Sequence, residues 1–226
     1  MHKFYNPNTS SILSEEESRH CIKVMRMTNG DRAYVLDGKG NQFLVEITDP
    51  HPKKCSYQIL DTVSEKETTK KLHIAIAPTK NMDRIEFFVE KVTEIGCTEI
   101  SFILCQNSER KVIKMERLQK IAISAMKQSG RLKLPLLHEL TSIREFIKSC
   151  SNEQKMIAHL RDNTVPISDK INTSTNQCVL IGPEGDFSLE EIALALENNF
   201  TPISLGKNVL RTETAGIVAC TLLSNF

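Results

Sequence analysis

The 226 residues carry 29 Lys and Arg against 28 Asp and Glu, with 40% hydrophobic and 25% charged residues, an ordinary balance for a globular protein of one large domain or two small ones. No apolar stretch approaches the roughly eighteen residues of a membrane span, and residues 1–7 show no charged region leading into an apolar one, so a cytoplasmic protein is expected. Seven cysteines, odd in number and never closer than eight positions, exclude a disulfide framework and a CxxC motif; the six histidines show no paired spacing, so reduced core thiols and no metal are expected.

In chain order, the first seventy residues read as short strands with one helix. Ser14 followed by Glu17 is a capping-box start for a helix through about Met25, and Asn29-Gly30-Asp31 closes that unit with turn residues. Runs 32–37 and 42–48 flank Gly38-Lys39-Gly40-Asn41 in a hairpin pattern, and 56–63 adds a strand. Residues 1–70 thus form a small, mostly β module, and the polar stretch 64–71 reads as a linker.

Residues 72–226 form the second domain, where strand and helix alternate. A strand at 72–77 precedes Ile85, Phe88, Val89, Val92 and Ile95 at helical spacing, with Gly96 at the C-terminal stop. A strand at 99–104 precedes a helix with Leu118, Ile121, Ala122 and Ala125 inward and Lys114, Arg117 and Lys120 on the other side. Strands follow at 156–160, 179–181 and 202–205, and Ser188 with Glu191 is a second capping box. The final helix sets Ala215, Val218, Ala219, Leu222, Leu223 and Phe226 on one stripe, which predicts a buried chain end. Such alternation predicts a parallel sheet covered on both faces.

The net charge of +1 hides an uneven distribution. Residues 72–150 hold 13 basic and 9 acidic residues, 151–226 hold 5 and 9, and within 107–133 eight basic residues face two acidic ones. That stretch is a candidate polyanion surface.

Two loops carry the chemistry: Ile181-Gly182-Pro183-Glu184-Gly185-Asp186 and, twenty residues on, Leu205-Gly206-Lys207-Asn208-Val209-Leu210-Arg211-Thr212-Glu213. Each follows a strand and opens into a helix, which places both at the carboxyl edge of the sheet, where open α/β sheets bind ligands. Pro183 lacks an N–H, and Glu184 and Asp186 repel phosphate, so the first loop is no phosphate cradle. It suits a neutral or cationic ligand such as S-adenosylmethionine. An acidic residue at 213 favours a helix start, whereas Arg211 gains nothing from the helix dipole there and needs another purpose.

In order and spacing these loops resemble the signature of the RsmE-type 16S ribosomal RNA uridine N3-methyltransferases of the SPOUT class. The likeness extends to His20, Val24-Met25-Arg26 and Gly30-Asp31, to Glu86 with 91–96, and to Lys127-Gln128-Ser129-Gly130-Arg131 before Pro135. Asp186 departs from it, since the family commonly has a second glycine there, as does Lys127, where glutamate is frequent. The resemblance implies a C-terminal α/β domain with a deep trefoil knot, an N-terminal PUA-like or OB-like β-barrel that binds RNA, S-adenosylmethionine in the knotted loops, and a homodimer acting on 16S rRNA within the small subunit.

By motif position it assigns Leu160, Ile181, Gly182, Glu184, Gly185, Leu205, Gly206 and Leu210 to the cofactor. Arg26, Arg110, Lys111, Lys114 and Arg131 are candidate phosphate contacts, and Gln128 a hydrogen-bonding partner of target, cofactor or fold. Removal of the uridine N3 proton needs a base or a cation that stabilises the anion. Arg211 is the candidate for the anion or a nearby phosphate, and Glu213 for the base or for orienting Arg211. A ribose 2′-hydroxyl methyltransferase and a non-catalytic ribosome-assembly factor are the alternatives.

Overall fold

The computed structural model describes residues 1–8, 10–66, 70–172 and 175–224. The chain divides into two compact units: residues 1–67 with 123–134, and residues 68–122 with 135–226.

In the first unit, β1 (Lys3–Tyr5), β2 (Arg32–Leu36), β3 (Asn41–Asp49) and β4 (Ser56–Ser64) form one sheet in that order. β1 lies parallel to β2, and the other neighbours are antiparallel. Past β1 the chain turns across to β4, where Leu13 N donates to Cys55 O and Tyr57 N to Ser11 O. Inward residues such as Phe4, Val35, Val45, Ile47 and Tyr57 make the core. Helix α1 (Glu15–Arg19) starts at Ser14, whose hydroxyl accepts the Glu17 N–H, but it stops short of the expected Met25 and passes into a wider π-helical turn, His20–Val24. The capping box is only half made, because the Glu17 carboxylate accepts from Lys127 Nζ at 2.6 Å.

Residues 123–134, expected wholly within the second domain, group with this first unit. Gly40 N donates to Leu132 O and Leu134 N to Gly38 O, so the β2–β3 turn claims the segment through its backbone. Polar bonds of this kind leave no mark in hydrophobic periodicity.

The second unit is built on seven parallel strands: β5 (Leu72–Ile76), β6 (Glu99–Leu104), β7 (Leu136–Ser142), β8 (Gln154–Ala158), β9 (Val165–Pro166), β10 (Gln177–Ile181) and β11 (Thr201–Ser204). Their order is β7-β6-β5-β10-β8-β11-β9. Every residue of β5 and β10 is buried, as central strands covered on both faces must be. Helices α2 (Met82–Ile95), α3 (Met115–Ser129), α4 (Ile143–Ser149), α5 (Leu189–Glu197) and α6 (Thr212–Leu223) connect or follow these strands. One face packs Ala75, Ile103, Ile157 and Leu180 against Phe146 and Ile147 of α4 and Ile192 and Ala195 of α5.

On the other face α6 lies on β5 and β10 and against α2. Gly216 makes that approach possible, since a Cβ there would stand 2.5 Å from the Phe88 ring and 3.2 Å from Ile76. Gly96 ends α2 in the left-handed conformation, φ 107°, as predicted. Ala219 and Leu223 are buried on α6, but Leu222 is 41% exposed, so the apolar stripe is narrower than expected; Phe226 lies outside the described residues. All seven cysteines are free, and six are buried.

Candidate functional site

Adjacent parallel strands β10, β8 and β11 end side by side: Ile181 pairs with Ala158, and Ala158 with Ile203. Their following loops therefore diverge from one stretch of the carboxyl edge and enclose a cavity of about 630 Å³, within the usual range for small-molecule sites. One wall is Leu160–Thr164, the second Gly182–Glu184 with Asp186, and the third Leu205–Arg211 with Thr212 and Ala215 at the start of α6.

Short bonds fix the Gly182 loop. Lys80 N donates to Glu184 Oε1 at 3.0 Å, and Asn107 Nδ2 donates to the carbonyls of Gly185 and Asp186. Behind the loop, the buried Phe187 ring lies so close to Gly182 that a Cβ there would meet it at 3.1 Å. Ser188 and Glu191 complete the predicted capping box and start α5 directly after the loop.

Asp186 occupies the left-handed region at φ 59°, where glycine is the usual residue and Asp among the better tolerated ones. Its side chain adds what a glycine lacks. Oδ1 accepts the Phe187 N–H at 2.8 Å, and Oδ2 accepts the Leu160 N–H at 3.2 Å, which ties the loop after β10 to the loop after β8. Next to it, His159 Nδ1 accepts the Arg161 N–H. Burial lowers the His159 pKa against the upward pull of Asp186, with Arg161 adding to the lowering.

Of the residues assigned to a cofactor, Leu160, Ile181, Gly182, Glu184, Leu205, Gly206 and Leu210 line the cavity. Gly185 does not; its carbonyl turns to Asn107 instead. Leu160 and Val209 are 63% and 75% exposed, so the walls present apolar surface beside the carboxylates of Glu184 and Asp186. Apolar walls with the Glu184 and Asp186 carboxylates fit a bound S-adenosylmethionine, a sulfonium cation with an apolar base, while Arg161, Lys207 and Arg211 also border the cavity.

Arg211 is exposed at the cavity rim as the residue preceding the first turn of α6. Glu213 is not in the lining, contrary to its reading as a base beside the ligand. One turn position on, its carboxylate is buried and faces Arg84 Nε of α2 at 3.9 Å, and Oε2 has no hydrogen-bond partner among the described residues.

The basic stretch divides in the same way. Arg110 spends its guanidinium on the carbonyls of Thr79 and Lys80, so it braces the segment bearing the Glu184 contact rather than facing solvent. Arg117 pairs with Glu86 and Lys127 with Glu17. Lys111 and Lys114 are exposed, with no ion pair among the described residues. Arg26 and Gln128 are exposed in the first unit, and Arg131 is half-buried there. Asn107 was missed by sequence reading, because nothing local marks an amide that acts on a loop far along the chain.

A family model described as RNA methyltransferase domain matches residues 66–224, and one described as RNA methyltransferase PUA domain matches residues 13–60. Among curated relatives, Ribosomal RNA small subunit methyltransferase E from Synechocystis sp. is 31% identical, over 92% of this chain and 70% of its own. Among solved structures, one described as a probable rRNA-methyltransferase from Porphyromonas gingivalis is 38% identical with a TM-score of 0.92, covering 99% of this chain and 98% of that one. Ribosomal RNA small subunit methyltransferase E from Neisseria gonorrhoeae, bound to S-adenosyl methionine, is 29% identical with a TM-score of 0.84, covering 97% and 95%.

Proposed function

The chain belongs to the RNA methyltransferase family, and on that premise we propose that it transfers a methyl group from S-adenosylmethionine to N3 of a uridine in the 16S RNA of the small ribosomal subunit. The observation that carries this reading is the cavity at the carboxyl edge, with apolar and carboxylate-bearing walls and Arg211 exposed at its rim where α6 begins. When bound, S-adenosylmethionine supplies a sulfonium whose methyl carbon accepts a nucleophile in line with the carbon–sulfur bond.

The residues of the chain divide the remaining work. Ile181, Gly182, Leu205, Gly206, Leu210 and the exposed Leu160 hold the cofactor, while Glu184 and Asp186 place negative charge toward its cation. Gly185 serves from behind the wall, through Asn107. Arg211, helped by the positive end of α6, stabilises the uridine anion or grips the adjoining phosphate. Glu213 acts as a positioning residue, holding the first turn of α6 against Arg84 and thereby setting Arg211.

Lys111, Lys114, Arg26, Arg131 and Gln128 contact the RNA, with Arg110 acting through the segment it braces. In this reading residues 1–70 are the RNA-binding module and 72–226 the methyltransferase domain. The trefoil knot, a homodimer and a cytoplasmic location belong to the same proposal. In support of a dimer, Phe87 of α2 and Leu222 of α6 are exposed apolar residues on two helices that pack together.

The test is incubation with methyl-labelled S-adenosylmethionine and either assembled small subunits or naked RNA, followed by mapping of the product. N3-methyluridine is expected. A methyl group on a ribose, or no binding of S-adenosylmethionine at all, overturns the reading.

A further inference from the structure

Three side chains at the opposite, amino edge of the same sheet converge on one point that methyl transfer does not use. His73 is the second residue of β5 and pairs in register with Glu99, the first residue of β6. Ser101, two residues on, pairs with His138 of β7. Alternation along the strands puts all four side chains on the face covered by α4, whose Phe146 meets the His73 ring edge-on at 5.3 Å.

We propose that His73, Glu99 and His138 hold a zinc-class divalent cation that ties the edge strand β7 to β6 and β5, with water in the remaining position.

The argument rests first on distances. Glu99 Oε2 is 3.7 Å from His73 Nδ1 and 3.5 Å from His138 Nε2, and the three ligand atoms all lie within 4.8 Å of one another. Those separations are long for a hydrogen bond. Ligands about 2.0–2.1 Å from a tetrahedral zinc stand roughly 3.4 Å apart, close to what is found.

The second support is an unmet need. His138 Nε2 is buried, aimed at the carboxylate, and without a hydrogen-bond partner among the described residues. His73 Nε2 lies 2.8 Å from Ser101 Oγ; with that nitrogen donating, Nδ1 turns a lone pair toward Glu99. A lone pair facing a carboxylate repels it, and a cation between them removes the conflict.

The surroundings have the form of an outer ligand shell. Ser101 fixes the His73 ring, and Lys71 Nζ holds Glu99 Oε1 at 2.8 Å, which leaves Oε2 for the histidines. Two imidazoles and one carboxylate select zinc over magnesium or calcium. The His138 side chain is 40% exposed, which gives the ion a way in and a water its place.

Two thiols lie near enough to compete: Cys178 pairs in register with His73, and a hydrogen bond from Cys178 pulls the Cys150 thiol down to about 7. The test must separate them. Chelator-treated protein is titrated with zinc chloride by calorimetry and with cobalt chloride by absorption, beside His138→Ala and Glu99→Gln.

One ion per chain is expected, with visible cobalt bands, no thiolate charge-transfer band in the near ultraviolet, and affinity reduced at least about tenfold in each variant. No stoichiometric binding, equal affinity in the variants, or a thiolate band overturns the proposal. If a variant does not fold, crystals of the unsubstituted protein soaked in zinc chloride decide. An anomalous peak between His73 Nδ1, Glu99 Oε2 and His138 Nε2 supports the site, and a peak elsewhere or none rejects it.

Discussion

The two edges of the seven-stranded sheet solve opposite problems. At the carboxyl edge the side chains of Asn107, Asp186 and Glu184 bond to backbone, and three loops stand apart around a cavity. At the amino edge the polar side chains of His73, Glu99 and His138 face one another instead. An edge that binds a molecule must keep its space open by spending polar groups on its own loops. An edge that binds an ion needs only three groups aimed at one point.

The sharpest way to separate the edges is Arg211→Ala. Loss of a cation placed for charge that develops only in the transition state costs about 100- to 1,000-fold in kcat. S-adenosylmethionine affinity and the amino-edge zinc affinity should both stay within about threefold, since neither ligand depends on this side chain in the proposed roles. Single-turnover kinetics and two titrations measure this; turnover within tenfold of the unsubstituted protein would remove Arg211 from the chemistry. Glu213→Gln serves as its companion. A base would lose activity to the same degree and change the pH profile, whereas a positioning residue paired with Arg84 loses less than about tenfold, with the profile unmoved.

How much of each edge was legible follows from the range of the signals. The carboxyl edge was read from contiguous loops: Gly182–Asp186 and Leu205–Glu213 are local strings, and the Ser188–Glu191 box announced the helix after the first of them. β6 was predicted over its observed residues, 99–104, because Ile100, Phe102, Ile103 and Leu104 lie together in the sequence. The short β1 and the strand β7 with α4 were not foreseen. β7 is an edge strand with a half-exposed, polar pattern that lacks the apolar run of a central strand. Its His138 joins Glu99 and His73 only because the fold lays three strands side by side, and a rule that searches for ligands near in sequence predicts no metal there. Charge counting misled for the same physical reason: Arg110, Arg117 and Lys127 contribute to a basic stretch in the sequence, but each has a partner from a distant segment.

A smaller effect is expected at Gly216, where the dependence of the cavity on α6 is put at risk. With a Cβ only 2.5 Å from the Phe88 ring, Gly216→Val forces α6 away from α2 and destabilises the protein by about 1–3 kcal/mol, visible as a lower urea midpoint. Methyl transfer should fall along with stability because α6 carries Arg211 at its start. Zinc affinity of the folded fraction should not change. If it fell in parallel, the two edges would be coupled through the sheet.

Next comes Asp186, whose carboxylate pins the loops after β8 and β10 together. Asp186→Ala loses the bond to Leu160 N and also places a Cβ without local hydrogen bonds at φ 59°, each a cost of about 1 kcal/mol. Asp186→Gly loses the bond but relieves the backbone. Calorimetric titration with S-adenosylmethionine should therefore rank affinity as Asp186, then Gly, then Ala. Equal affinity for the Ala and Gly variants would mean that the left-handed conformation is not required at this position.

The smallest effect is a pH dependence confined to the carboxyl edge. Burial lowers the His159 pKa, so the folded protein takes up a proton there less readily than the unfolded chain, whose imidazole titrates near 6.5. As pH falls below about 6.5 the unfolded state gains its proton first, and the stability contributed by neutral His159 is lost until the folded form titrates as well. Protonation also takes away the Nδ1 lone pair that accepts the Arg161 N–H, and sets a cation against a cationic ligand. S-adenosylmethionine affinity should therefore weaken a few-fold between neutral pH and pH 5.5, and His159→Gln, which does not titrate, should flatten the curve. Asp186 is the neighbouring carboxylate that favours the protonated ring, so in Asp186→Gly the loss of affinity should move to lower pH and the slope over this range should flatten. If the slope is the same with and without the carboxylate, the coupling between the two loops runs through the Leu160 bond alone and not through charge.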